Sequence, residues 1–140
     1  MELKINIGEF KPQKKGVKQV LGELEADIME YIWENGASTV KTVHNHLNRE
    51  RELAYTTVMT VMSRLAEKDL LRREQVSNAY RYSATVSREQ FAQQIVSEVL
   101  DSLLGSFGEE TISHFANRIG QVEEDRLSEL EKAIRRKRGE

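Results

Sequence analysis

Val58, Val61, Met62 and Leu65 recur at i, i+3, i+4 and i+7, the spacing of one apolar stripe along a helix. This periodicity predicts a helix over residues 54–68. Its opposite face carries Thr56, Thr60, Ser63 and Glu67, flanked by Thr57, Met59 and Arg64. Solvated helix faces are commonly rich in lysine and glutamate. A face of hydroxyls is compact enough to approach base edges and phosphates closely. Upstream, Leu24, Ile28, Tyr31 and Ile32 line one side of a helix predicted over 23–34, with Trp33 beside them and Asn35-Gly36 as its stop. Ala37-Ser38 reads as a short extended link. Thr39 is placed to cap a second helix, on which Val40, Val43 and Leu47 point inward. Residues 48–53 form a polar, charged turn before the hydroxyl-faced helix.

After that helix the period changes. Residues 71–76 and 79–84 read as two strands around Ser77-Asn78, where asparagine tolerates the positive φ of a two-residue hairpin. In this register Glu74 faces Arg81 as a cross-strand pair and Arg73 faces Tyr82, leaving Arg72 and Arg73 freer to meet phosphate. Three helices and a basic hairpin in this order predict a mainly α fold with a small β-hairpin wing, a winged helix-turn-helix that reads DNA. Ser87-Arg88-Glu89-Gln90 then matches a capping box. The helix it opens carries Phe91, Ile95, Val96, Val99, Leu100, Leu103 and Leu104, two adjacent stripes, and is expected to break at Gly105 and Gly108. A short helix with Ile112, Phe115, Ala116 and Ile119 follows. After Gly120 a last helix holds Leu127, Leu130 and Ile134 and ends in a basic run, 135–138.

Residues 87–140 are too short to build an independent core. Their stripes need a cover. A second copy of the chain around a two-fold axis is the simplest, and folding back on the N-terminal domain is the alternative. The expected division is therefore a basic, flexible N-terminal arm over 1–20, a winged helix-turn-helix domain over 21–86 and a three-helix dimerisation region over 87–140. Alternating Leu3, Ile5 and Ile7 allow a short strand in the arm. Five lysines against two glutamates give the arm its charge, and a contact with the DNA backbone is the sharper reading of it.

Composition narrows the function. The chain has 140 residues, 39% hydrophobic and 31% charged. No apolar run approaches the roughly 18 residues of a membrane span, so no membrane insertion is expected. The N-terminus lacks the apolar core of a signal peptide, and there is no cysteine, which together fit a cytoplasmic protein without disulfides or thiolate metal sites. A net charge of −2 does not advertise nucleic-acid binding, so a DNA surface must come from local clustering of basic residues. No cofactor, metal or catalytic residue is expected. His44-x-His46 sits on a predicted helix, where i and i+2 diverge, and no nucleophile triad, phosphate loop or HExxH pattern is present. Besides an enzyme, the other rival class is a winged helix used for protein contacts or ligand sensing, with the wide C-terminal stripe lining a pocket.

Leu21-Gly22-Glu23-Leu24-Glu25, Ile32-Trp33, Tyr55-Thr56-Thr57-Val58-Met59-Thr60, Arg64-Leu65 and Arg81-Tyr82 occur in one order without large gaps. This pattern resembles the penicillinase-repressor family of bacterial regulators (BlaI/MecI, with the copper-responsive CopY relatives) over residues 21–135. The resemblance implies a cytoplasmic, homodimeric repressor of transcription that binds a palindromic operator in double-stranded DNA, often with TACA/TGTA half-sites. It implies a recognition helix over 54–68, with Tyr55, Thr56, Thr57, Met59 and Thr60 reaching bases. The apolar side chain of Met59 itself suits a thymine methyl, with packing against the neighbouring turn as the alternative. Arg64 and Lys68 then suit phosphates, with Lys41 on the second helix and Arg72 and Arg73 in the wing. Phe91, Ile95, Val99, Leu103, Phe115, Leu127, Leu130 and Ile134 fall to dimerisation. In the antibiotic-resistance systems of the family a membrane sensor protease triggers cleavage in the dimerisation region, which corresponds here to 112–116, with His114-Phe115 as the candidate bond. Thr56 and Met59 stand where the staphylococcal repressors carry a basic residue and an arginine, and His114 stands in place of their asparagine. The cysteine cluster of the copper-responsive branch is absent.

Overall fold

Helix α1, Glu23–Asn35, begins at Gly22, whose N–H donates to the Glu25 carboxylate at 3.0 Å. It buries Ala26, Ile28, Met29 and Ile32. Gly36 closes it, donating to the Ile32 carbonyl at 2.8 Å with φ at 83°, a left-handed conformation that favours glycine. A computed structural model describes residues 10–121 and 123–140 of the chain. The strand expected from Leu3, Ile5 and Ile7 lies outside the described residues.

The link after α1 is a strand. β1, Ser38–Thr39, is the outer member of a three-stranded antiparallel sheet in the order β1-β3-β2. Two residues are too short to show a period of two, so the sequence displays only a gap between helices there. Thr39 caps α2, Val40–Leu47, by accepting from the Thr42 N–H. Val40 and Val43 of α2 are buried. Helix α3, Tyr55–Glu67, buries Val58, Met62 and Leu65, with Val61 half-buried beside them. Its end is a Schellman turn: Leu70 donates to the Leu65 carbonyl at 2.9 Å and Asp69 to that of Ala66 at 3.1 Å, with Asp69 at φ 64°.

The wing is β2, Leu71–Val76, paired with β3, Ala79–Ala84, in the expected register, including Arg73 opposite Tyr82 and Glu74 opposite Arg81. At its tip the positive φ, 57°, falls on Ser77 and not on Asn78. Leu71 and Tyr82 anchor the base of the wing in the core.

Ser87 and Gln90 form the capping box that opens α4, Arg88–Ile119: Gln90 N–H donates to the Ser87 hydroxyl at 3.1 Å, and Ser87 N–H to the Gln90 side chain at 2.9 Å. The start of α4 belongs to the core of the preceding elements. Phe91 is 1% exposed and stacks against Trp33 at 5.5 Å, while the Trp33 indole N–H donates to the Val86 carbonyl. α4 is interrupted at Phe107, whose φ and ψ of −138° and 47° are non-helical. The break therefore falls between the two glycines expected to cause it. Helix α5, Glu124–Lys137, follows.

The chain separates into two compact units, Met1–Val96 and Ser97–Glu140. The division lies inside α4, beyond the boundary expected at 86/87. Residues 10–20 also depart from a flexible arm. Phe10 and Val17 pack on the core, Val20 and Leu21 are part of it, and Lys11 N–H donates to the Gln19 carbonyl. Among the described residues no helix is long and apolar enough to cross a membrane.

Candidate nucleic-acid interface

The burial of one face of α3 fixes what the other presents. With Val58, Met62 and Leu65 wholly buried, Thr56, Thr57, Thr60 and Arg64 are exposed, Tyr55 is 46% exposed and Met59 41%. Thr60 turns its hydroxyl back to the Thr56 carbonyl at 2.8 Å. Ala54 gives α3 no side-chain cap, so its first N–H groups keep their capacity to bind an acceptor from outside.

The N-terminal end of α3 is braced from α2. The His44 imidazole hydrogen-bonds the Leu53 carbonyl at 2.6 Å, and its ring meets Tyr55 edge-on at 5.8 Å. Asn48 accepts from the Leu53 N–H at 2.9 Å, closing the polar turn. His46 lies against Tyr31 at 4.7 Å. Both histidines therefore have packing roles. No periodicity announces His44 or Asn48 as positioning residues, since each acts on a backbone group distant in sequence.

The basic residues divide into committed and available groups. Lys68 is committed: its ammonium bonds the Glu25 carboxylate at 2.6 Å, joining the end of α3 to the start of α1. Burial pushes the Glu25 carboxyl up, but the Lys68 hydrogen bond, the Gly22 N–H and the charges of Lys68 and Lys11 together hold it below the ordinary carboxylate range. Lys68 is thus a structural partner of Glu25 in the free protein, in addition to its expected role as a phosphate contact. In the wing, Arg81 donates to the Ala37 carbonyl at 3.1 Å and does not pair with Glu74. Glu74 lies instead 3.7 Å from Arg72 along the same strand face. Arg73 sits over the Tyr80 ring at 4.4 Å. Both arginines remain exposed and can exchange these weak contacts for phosphate oxygens. Lys41 and Arg64 are exposed without an ion pair among the described residues. An open cleft of about 570 Å³ beside the last turns of α3 and the base of the wing has Glu67, Asp69, Arg72 and Arg73 among its lining residues.

The residues assigned to dimerisation are divided between the two units. Phe91 is in the core of the first unit and Ile95 packs against that core, so Phe91 has no surface to offer a second chain. Val99, Leu127 and Leu130 are half-buried, and Leu103, Phe115 and Ile134 are 42%, 55% and 48% exposed. Leu100, Leu104, Phe107 and Ile112 join the exposed set. His114 and Phe115, the candidate scissile pair, lie exposed within helical backbone. A protease acts on extended chain, so cleavage here would require that turn to open first.

The penicillinase repressor family model matches residues 21–136. The transcriptional regulator BlaI of Mycobacterium tuberculosis is 36% identical over 109 residues, spanning 76% of this chain and 79% of that protein. A penicillinase repressor of Staphylococcus aureus is 24% identical over 100 residues, covering 71% and 79%. Among solved structures, the DNA-binding domain of the repressor BlaI covers 54% of this chain and 89% of its own, at 20% identity and a TM-score of 0.45. A MarR family protein from Bacillus stearothermophilus covers 81% and 75%, at 19% identity and a TM-score of 0.45.

Proposed function

The chain belongs to the penicillinase repressor family, and from that premise we propose that it represses transcription by binding a palindromic operator in double-stranded DNA as a homodimer. Its two named relatives are a regulator and a repressor, not enzymes. The observation that carries the proposal is the exposed outer face of α3, free of core duties from Tyr55 to Arg64 and flanked by the wing arginines Arg72 and Arg73. A helix enters the major groove with its first turns against base edges, which assigns Tyr55, Thr56, Thr57, Met59 and Thr60 to bases. Arg64, Arg72, Arg73 and Lys41 neutralise phosphates. With a net charge of −2, electrostatic attraction to DNA must come from local basic clusters, and this one lies beside the outer face of α3.

The second unit supports the homodimer in this reading. Coupling two modules makes the second half-site contact nearly intramolecular, so a monomer binds far more weakly than the dimer. The exposed apolar side chains of the second unit, Leu100, Leu103, Leu104, Phe107, Ile112, Phe115 and Ile134, supply the surface for a second copy. Release follows from loss of the dimer, by cleavage between His114 and Phe115 through a membrane sensor protease or by another signal.

The test is a footprinting titration on the DNA upstream of the protein's own gene at two salt concentrations. A protected palindrome whose affinity falls steeply with salt supports an operator-binding dimer. Weak binding indifferent to sequence contradicts it.

A further inference from the structure

We infer that α3 reads thymine through its C5-methyl group, with the Met59 side chain and the γ-methyl of Thr60 as the reading atoms. This rests on the proposed role of α3 as the DNA-reading helix. Thr56, Met59, Thr60 and Ser63 stand at i, i+3, i+4 and i+7 and share one continuous surface. Met59 is 41% exposed there, although its length and flexibility would let it fold into the core if the core had room.

Thr60 adds a second apolar group. Its hydroxyl donates to the Thr56 carbonyl at 2.8 Å. A helical threonine in that rotamer turns its oxygen along the backbone, and the γ-methyl is the group left facing outward. Thr60 therefore presents a methyl where the sequence alone displays a hydroxyl. Met59 and Thr60 together make an apolar contact in the middle of a polar helix face.

The major groove offers one apolar feature, the thymine methyl. Bidentate reading of guanine needs arginine or lysine, and that of adenine needs asparagine or glutamine. None of these four residue types occurs between Tyr55 and Ser63. Arg64 is the first cation of the helix, one turn beyond Thr60. The Thr56, Thr57 and Ser63 hydroxyls can bond base edges without a bidentate preference, so methyl contact is the apolar discrimination this face offers under Met59 and Thr60.

The experiment begins with selection of bound sequences from a random duplex library by the full chain. Each thymine of the selected half-site is then replaced singly by deoxyuridine, which removes one methyl and keeps the pairing. At one or two adjacent positions the replacement weakens binding about fourfold, the worth of one buried methyl-sized group. Met59→Ala removes the thymine-over-uracil ratio at one of these positions. Thr60→Ser, which keeps the hydroxyl and loses the methyl, removes it at the other. Thr60→Val, which keeps the methyl and loses the hydroxyl, retains it. Equal binding of thymine and uracil duplexes at every half-site position overturns methyl reading and leaves operator recognition standing. So does a ratio that survives in Thr60→Ser but is lost in Thr60→Val. Failure to select any sequence overturns the operator reading itself, and this inference with it.

Discussion

The two units use the same material, amphipathic helix, and finish with different amounts of it buried. In the first, Val20, Ile28, Met29, Val43, Val58, Met62, Leu65, Leu70 and Phe91 are all at most 5% exposed. In the second, none of the described residues is buried, and Leu100, Leu103, Leu104, Phe107, Ile112 and Phe115 are between 42% and 64% exposed. The difference lies in what each stripe faces. The stripes of α1, α2 and α3 converge on one another and on the base of the wing, so each apolar side chain leaves water against several neighbours. The stripes of the second unit are too broad for their own helices to cover. A unit of the first kind encloses its own core. A unit of the second kind presents the surface that a stable oligomer buries, and we assign it to a second copy.

Core truncation gives the largest contrast. Phe91→Ala should lower the stability of the first unit by about 3–5 kcal/mol, because the void beside Trp33 is enclosed. Phe107→Ala should shift the same unfolding transition by no more than about 0.5 kcal/mol, as a surface change does. Urea unfolding followed by Trp33 fluorescence reports both. Equal losses would erase the distinction between the units.

A smaller effect sharpens the account of Lys68. Lys68→Met should cost the first unit about 1 kcal/mol, between an exposed and a buried pair. The Glu25 carboxyl is held below its ordinary range in the folded chain. Its contribution is therefore present above the unfolded carboxylate value and is lost as pH falls through the folded one. The gap in urea midpoint between Lys68→Met and the parent chain should thus be wide at neutral pH and close in acid. A gap that stays constant with pH would show that Lys68 stabilises by packing.

Smaller still is the effect of removing a single phosphate contact. Arg64→Ala should reduce the slope of log affinity against log salt by about 1 and weaken all sequences alike. Lys68→Ala should change that slope less, since its charge is paired with Glu25. An equal loss of slope in Lys68→Ala would show that the lysine leaves Glu25 for phosphate.

Much of this was legible in the sequence because local chemistry decided it. The stripe of α3, the Thr39 cap, the Ser87–Gln90 box and the wing register all rest on spacing within a few residues. What stayed hidden depended on distant partners. β1 is defined by its pairing with β3, and Lys68 by a carboxylate 43 positions away. Phe91 illustrates the general limit: its place on a wide stripe shows that it faces something apolar, but not whether that is Trp33 of the same chain or a second copy. The wing shows the same limit, since the register put Glu74 opposite Arg81 correctly while the arginine reaches the Ala37 carbonyl instead. Residues 10–20 look polar and basic, yet Phe10, Val17 and Val20 suffice to lay that segment on the core.

We assign DNA reading to the first unit and, to the second, the pairing that makes the reading tight. Sedimentation and operator titration of Leu103→Asp, run on the same samples as the parent chain, test this assignment most directly. The expected result is a parent dimer, a variant monomer with its first unit still folded, and operator affinity lower by about 100-fold or more. A monomeric variant that binds the operator as tightly as the parent would contradict it.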